Sequence, residues 1–293
     1  MPILLRLLVL AGLYCTPLFS AAEPYQISAA EPYQIPRTHV HALQSSINEK
    51  HYEVYVYTPR GYSEGQKHYP MVVLNDSAFA FPLAVGAGRL LMVKDMQEAI
   101  LVGISYSQGD APGTSRTRDY TPTFAPDETS YHSIEAKQVS GQAHDYIAFI
   151  EQDLLPFLEK NYRVDMQNKV LVGHSFGGLL GAYTLLVNPT LFEHYVLGSP
   201  SLWYDNKAIF RLEAEYAKTH KSMPANVYMY VGDSEDNPVH SMVRDARAYQ
   251  AQLLSRNYQG LTLNVSLIKD GTHHNAFPLL LTRALPAIFP RQK

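Results

Sequence analysis

The sequence predicts an α/β fold: a mostly parallel central sheet with helices on both faces. Three observations carry this expectation. Short apolar runs alternate along the chain with segments whose apolar residues recur near a 3.6-residue period. Several of the short runs are continuous rather than alternating, as in strands buried on both sides. One of them leads through Gly-x-Ser-x-Gly straight into a helical pattern, a strand–turn–helix unit. With 293 residues, 46% hydrophobic and 17% charged, the chain has ample core and excludes disordered, collagen-like and coiled-coil architectures.

The first element is an address. Residues 4–19 are almost all apolar, with Arg6 the single charge, and end at Ser20-Ala21-Ala22, where small residues suit a secretory peptidase. The run is short for a membrane span, so residues 1–22 are expected to be a cleaved signal peptide without stable membrane insertion. The protein is then periplasmic or secreted. The one cysteine, Cys15, lies inside this segment, which excludes internal disulfides and thiolate metal sites after cleavage. The formal charge of −3 becomes −4 once Arg6 is removed. Without a basic excess, nucleic-acid binding is not expected. An eight-residue unit is then duplicated, AAEPYQIS followed by AAEPYQIP, making 23–36 a spacer before a single domain spanning 37–293.

Strands are expected at 51–58, 69–74, 100–106, 169–173, 194–197, 226–231 and 262–268, and helices at 142–159, 176–186, 239–254 and 276–288. His39-Val40-His41 places two imidazoles on one face of a strand, without a third metal ligand, and is read as surface. The tyrosines at 52, 55, 57, 62 and 69 are read as sheet packing. Residues 107–132 are rich in Gly, Pro, Ser, Thr and Asp and lack periodicity. A long irregular segment of this kind in a compact domain is read as a functional loop over the sheet edge.

The chemistry concentrates at Gly173-His174-Ser175-Phe176-Gly177-Gly178. In a strand–elbow–helix turn the serine takes a strained conformation that lifts its hydroxyl above the sheet, and Gly173 and Gly177 leave space for strand and helix to approach. Ser175 is therefore the candidate nucleophile. A serine hydroxyl needs a general base, and in this kind of unit the partners follow in the order serine, acid, histidine. His273 and His274 lie in a polar turn directly after the last strand, on the rim that bears the elbow, and local sequence does not choose between them. After the strand at 226–231 come Asp233, Glu235 and Asp236. Glu235, three beyond Gly232, is chosen as the acid that orients the imidazole. The oxyanion hole needs two backbone N–H groups: that of Phe176, and one from the loop after 69–74, at Asp76 or Ser77. No phosphate-binding loop or nucleotide fingerprint is present, so no cofactor and no metal are expected.

Three stretches carry a family resemblance. Gly173 to Leu179, Ser199-Pro200-Ser201-Leu202-Trp203-Tyr204, and Arg116-Thr117-Arg118-Asp119-Tyr120-Thr121-Pro122 resemble the esterase branch of the α/β-hydrolases, nearest to periplasmic siderophore esterases acting on enterobactin- and salmochelin-type trilactones. The resemblance spans about residues 40–289. It implies the α/β-hydrolase fold, Ser175 as nucleophile, Glu235 as acid, and His274 over His273, because the family's Gly-x-x-His falls on Gly271 and His274. It also implies a substrate contact for Arg116, while Trp203 is expected beneath or beside the substrate. The activity expected is hydrolysis of a small-molecule carboxylic ester through an acyl-enzyme, possible substrates being a siderophore trilactone or a short-chain or aryl ester. Acyl transfer to an alcohol, or ligand binding with an idle site, are the alternatives on the same residues.

Overall fold

Among the described residues, eight strands form one sheet in the order β1-β2-β4-β3-β5-β6-β7-β8. They are β1 Thr38–Gln44, β2 His51–Tyr57, β3 Tyr69–Leu74, β4 Ile100–Ile104, β5 Val164–His174, β6 His194–Gly198, β7 Ser222–Gly232 and β8 Gln259–Ile268. The β1–β2 and β2–β4 pairs are antiparallel and all the others parallel. The computed structural model describes residues 30–130, 132–236 and 241–291. The expected signal peptide and the first copy of the repeat lie outside those residues. The chain divides into a unit of residues 1–35 and a unit of residues 36–293, and every strand and helix described belongs to the second.

The helices are α1 Ser77–Lys94, α2 Pro112–Tyr120, α3 Ile134–Gln138, α4 Ala143–Phe149, α5 Leu155–Asn161, α6 Phe176–Val187, α7 Tyr204–Thr219, α8 Met242–Ser255 and α9 Ala276–Ile288. Consecutive residues of β6 show that they cover both faces. A Cβ on Gly181 of α6 would meet Leu197, whereas a Cβ on Gly198 would meet Leu280 of α9. Successive strand residues point to opposite faces, so α6 and α9 lie on opposite sides of the sheet. Leu171, Leu197, Val227 and Met229 join the larger core with α4, α6 and α8, and α1 packs with α9.

Several elements differ from the sequence expectation, each for a physical reason. Strands β5 and β7 begin earlier than expected because their first residues, including Asp165 to Asn168 and Pro224, are polar or exposed and break the apolar run. Helix α1 has no sequence signature: it is apolar on nearly every side and contains Pro82, Gly86 and Gly88, so no period can be read. The expected loop at 107–132 contains α2, a polar helix held by side-chain hydrogen bonds. The single helix expected at 142–159 is α4 and α5 joined by a π turn at Ile150–Leu154, directly before Pro156, whose missing N–H loosens the winding. The segment Tyr204–Thr219 is a helix where the sequence pattern predicts none. Its entry passes through Asp205, Asn206 and Lys207, all at left-handed φ.

Candidate active site

The carboxyl ends of β3, β5, β6, β7 and β8 meet on one rim, where ligands of parallel sheets bind. Ser175 stands there between β5 and α6 at φ 60°, ψ −115°, a conformation that non-glycine residues avoid. Its N–H donates to the Gly198 carbonyl at 2.9 Å, and its carbonyl accepts from the N–H groups of Leu179 and Ser201. A Cβ on Gly173 would come within 2.1 Å of the Gly177 carbonyl oxygen, so the first turn of α6 crosses β5 only over a glycine. The second glycine of the motif plays a different part from the one expected. A Cβ at Gly177 would meet nothing closer than 3.4 Å, while one at Gly178 would press on Pro200 at 2.9 Å.

Glu235 sits in the turn after β7 with its carboxylate buried. Oε1 accepts from Ser199 Oγ at 2.6 Å and from the Gly232 N–H at 2.8 Å, and Oε2 lies 2.7 Å from His273 Nδ1. Burial works against the charged form, but the hydrogen bonds from His273, Ser199 and Gly232 outweigh it and hold the carboxyl below the ordinary glutamate range. Two glycines bring the loops together. A Cβ on Gly232 would lie 2.2 Å from the Gly271 carbonyl oxygen, and one on Gly271 would lie 2.7 Å from Gly232 Cα.

This pairing corrects the choice that the resemblance favoured. His274 is exposed, its ring perpendicular to that of His273 at 6.0 Å, and the carboxylate is bonded by His273 instead. The turn is fixed by reciprocal bonds between Thr272 and Asn275, which set residue 273 inward and residue 274 on the rim. Of the other two carboxylates, Asp233 is exposed and bonded to Ser234, and Asp236 accepts from Ser241 and the Val243 N–H.

Ser175 and His273 border one cleft of about 260 Å³, whose apolar wall is Phe79, Leu83 and Phe277. The Ser175 hydroxyl bonds Ser201 Oγ at 3.2 Å, and among the described residues it has no bond to imidazole. Catalytic hydrogen bonds in unliganded sites are often incomplete. With Nδ1 committed to Glu235, Nε2 is the His273 nitrogen left for a proton. His174 packs on His273, ring centroids 4.6 Å apart. Burial, reinforced by His273, pushes its ring down to about 4, so it adds no positive charge at neutral pH.

The remaining sequence-selected residues are redistributed. Asp76, at φ 56°, joins β3 to α1, and its N–H donates to the Tyr120 hydroxyl at 3.1 Å. That N–H is thereby engaged, while Ser77, the other expected donor, opens α1. Arg116 borders the cleft, yet its guanidinium is committed to Asp76 by two hydrogen bonds of 2.7 and 3.1 Å and to the His174 carbonyl at 3.0 Å. It is a strut between the β3 and β5 loops, because Asp76 neutralises its charge and the His174 carbonyl takes a further N–H. Trp203 does not border the cleft. Its ring lies 6.0 Å from that of Phe176, tilted by 42°.

Two motifs thereby acquire physical reasons. In the 116–122 stretch, Arg118 binds Asp119 and Ser107, Asp119 accepts from Tyr52 and Ser115, and Thr121 bonds the Thr117 carbonyl and the Gly141 N–H. In the 199–204 stretch, Ser199 holds the acid and Ser201 the nucleophile. Neither serine was singled out from sequence, although two serines at the end of the neighbouring parallel strand are placed to reach the elbow.

The family model described as Putative esterase matches residues 45–283. The ferri-bacillibactin esterase BesA of Bacillus subtilis (strain 168) is 27% identical over 257 residues, covering 85% of this chain and 89% of that protein. The crystal structure of the BES protein from Bacillus cereus matches with a TM-score of 0.76 at 25% identity, over 90% of this chain and 100% of that one. An IroE-like serine hydrolase from Shewanella oneidensis matches with a TM-score of 0.75 at 25% identity, over 86% and 80% of the two chains. With the family model covering most of its length and the fold shared with these structures, the chain belongs to the Putative esterase family.

Proposed function

We propose that this protein is an exported serine esterase that hydrolyses a siderophore ester, with Ser175, His273 and Glu235 as its triad. The observation that carries the reading is the 2.7 Å bond between Glu235 and His273, made at the cleft that also exposes Ser175 at the elbow. Ser175 Oγ attacks the ester carbonyl carbon and its proton passes to His273 Nε2. The oxyanion receives the N–H groups of Phe176 and Ser77, both at helix N-termini, where the backbone dipoles favour negative charge. Collapse breaks the C–O bond, and the alcohol leaves with the proton from His273. Water, deprotonated by the same nitrogen, then releases the acid and restores Ser175. Glu235 orients the ring and stabilises its charged form.

The siderophore class follows from relatives named as siderophore esterases, including the ferri-bacillibactin esterase and an apo-salmochelin esterase of Escherichia coli. Drug-sized ligands occupy roughly 300–1,000 Å³. A cleft of about 260 Å³ therefore suits one acyl arm of a larger ester, with the remainder outside. Export rests on the apolar leader and its Ser-Ala-Ala site.

The test pairs a fluorophosphonate probe with a hydrolysis panel of p-nitrophenyl esters and a catecholate trilactone. Labelling at Ser175 and preference for the trilactone are expected. Failure to label the intact protein refutes the serine mechanism. Labelling with indifference to the trilactone refutes only the substrate class.

A further inference from the structure

Helix α1 begins at the candidate oxyanion loop and runs away from the cleft, and its outward face is apolar. Phe79, Leu83, Leu90 and Val93 are 39, 43, 75 and 57% exposed, and with exposed Gly86 they recur at intervals of three and four residues, a single stripe along the helix. The helix has no acidic residue, and its cations, Arg89 and Lys94, both stand exposed at its far end. There the stripe enters a cavity of about 640 Å³ lined by Arg37, Arg60, Arg89, Leu90, Val93 and Glu98. Arg37 is engaged with Tyr57 and the Thr58 carbonyl, while among the described residues no carboxylate pairs with Arg60, Arg89 or Lys94. Three guanidinium groups over an apolar floor, against one glutamate, stand out in a chain of net charge −3.

We infer that this face of α1 docks the protein peripherally on an anionic phospholipid surface, with the stripe against the acyl boundary and Arg60, Arg89 and Lys94 against the phosphates. Guanidinium groups bind phosphate oxygens in pairs, and an apolar helix face flanked by cations is the pattern of an interfacial helix. Although α1 is apolar and long enough to span a membrane by composition, Ala80, Phe81, Ala84 and Val85 are buried against the sheet, so it lies on the surface instead. A second copy of the chain fits less well. A helix of 18 residues is about 27 Å long, and a stripe about 10 Å wide covers roughly 270 Å², far below the ~800 Å² per partner of a stable interface. Phe79 and Leu83 also border the Ser175 cleft, so docking brings its mouth to the lipid. The inference does not rest on the chemistry proposed above.

The test uses the full chain with Cys15→Ser and an environment-sensitive fluorophore at Leu90→Cys. Blue-shifted emission is expected with vesicles of phosphatidylethanolamine and phosphatidylglycerol but not of phosphatidylcholine, and no shift from the same label at Leu254→Cys, exposed on α8. In unlabelled protein, Leu90→Glu with Val93→Glu, and separately Arg60→Glu with Arg89→Glu, should each weaken co-sedimentation at least tenfold. Raising salt to about 0.5 M should weaken the unaltered chain likewise. Equal shifts at both labelled positions, or no response to anionic vesicles, overturn the inference. A shift that follows protein concentration without vesicles overturns it in favour of a second copy.

Discussion

Arg116→Met removes the guanidinium, whose carbon lies 5.6 and 5.4 Å from the Tyr120 and Phe176 ring centroids, while keeping a long unbranched side chain. Asp76, whose side chain is 2% exposed, then keeps, among the described residues, the Tyr106 hydroxyl as its one side-chain donor. Breaking a buried ion pair by deleting one partner costs about 3–5 kcal/mol, because the remaining charge is left without compensation. In a domain of this size each kcal/mol is worth about 2 °C, so the melting temperature should fall by about 6–10 °C. Arg116→Met with Asp76→Asn removes the stranded charge as well and should regain most of that loss, a coupling of about 2–3 kcal/mol in a double-mutant cycle. The assay is thermal and urea unfolding followed by circular dichroism, with kcat and KM for an aryl ester measured alongside. Since Arg116 ties Asp76 after β3 to the His174 carbonyl before the elbow, kcat should fall in the single variant. If the melting temperature moves by less than 2 °C while KM rises and kcat is unchanged, Arg116 is a substrate anchor and the strut argument is wrong.

Three further outcomes are expected. His273→Ala should lower kcat/KM for an aryl ester by about 10³-fold or more, as loss of a triad member does, while His274→Ala stays within tenfold; steady-state kinetics of both variants decides between the adjacent rings. His174 has a folded-state pKa of about 4 against 6.5 unfolded, so the unfolded chain binds a proton there that the folded chain refuses. Stability is therefore lost as pH falls from 6.5 to 4, by roughly 3 kcal/mol from this ring, and His174→Gln should flatten the slope of unfolding free energy over that window. Gly173→Ala should abolish soluble folded protein or its labelling by a fluorophosphonate, whereas Gly177→Ala should retain both, since only the former Cβ collides with backbone; a reversed order would contradict the elbow geometry.

How much was legible follows the range of each interaction. Ser175 was readable because its surroundings are local: β5, one strained turn and α6 are contiguous in sequence, and Gly173 is demanded by the crossing of adjacent segments. Glu235 was readable from its place after β7. The pairing of that carboxylate with residue 273 in place of 274 was not, because neighbouring residues share one composition and differ only in which way the turn at Thr272–Asn275 aims them. Arg116 shows the same limit: the resemblance implies a substrate contact, and only the fold sets Asp76, forty residues earlier in the chain, against its guanidinium. Helix α1 was hidden for a different reason, since a helix apolar on both its buried and its outward face has no amphipathic period.

The chain alone therefore determined the α/β architecture, the strained strand–turn–helix elbow at Ser175 and the strand ends that bear the cleft, since these depend on periodicity and on contacts between near neighbours. Which histidine bonds Glu235, what the Asp76 N–H meets and what Arg116 holds were decided only by tertiary structure. Each depends on hydrogen bonds between loops distant in sequence, whose directions are set by packing and leave no periodic trace.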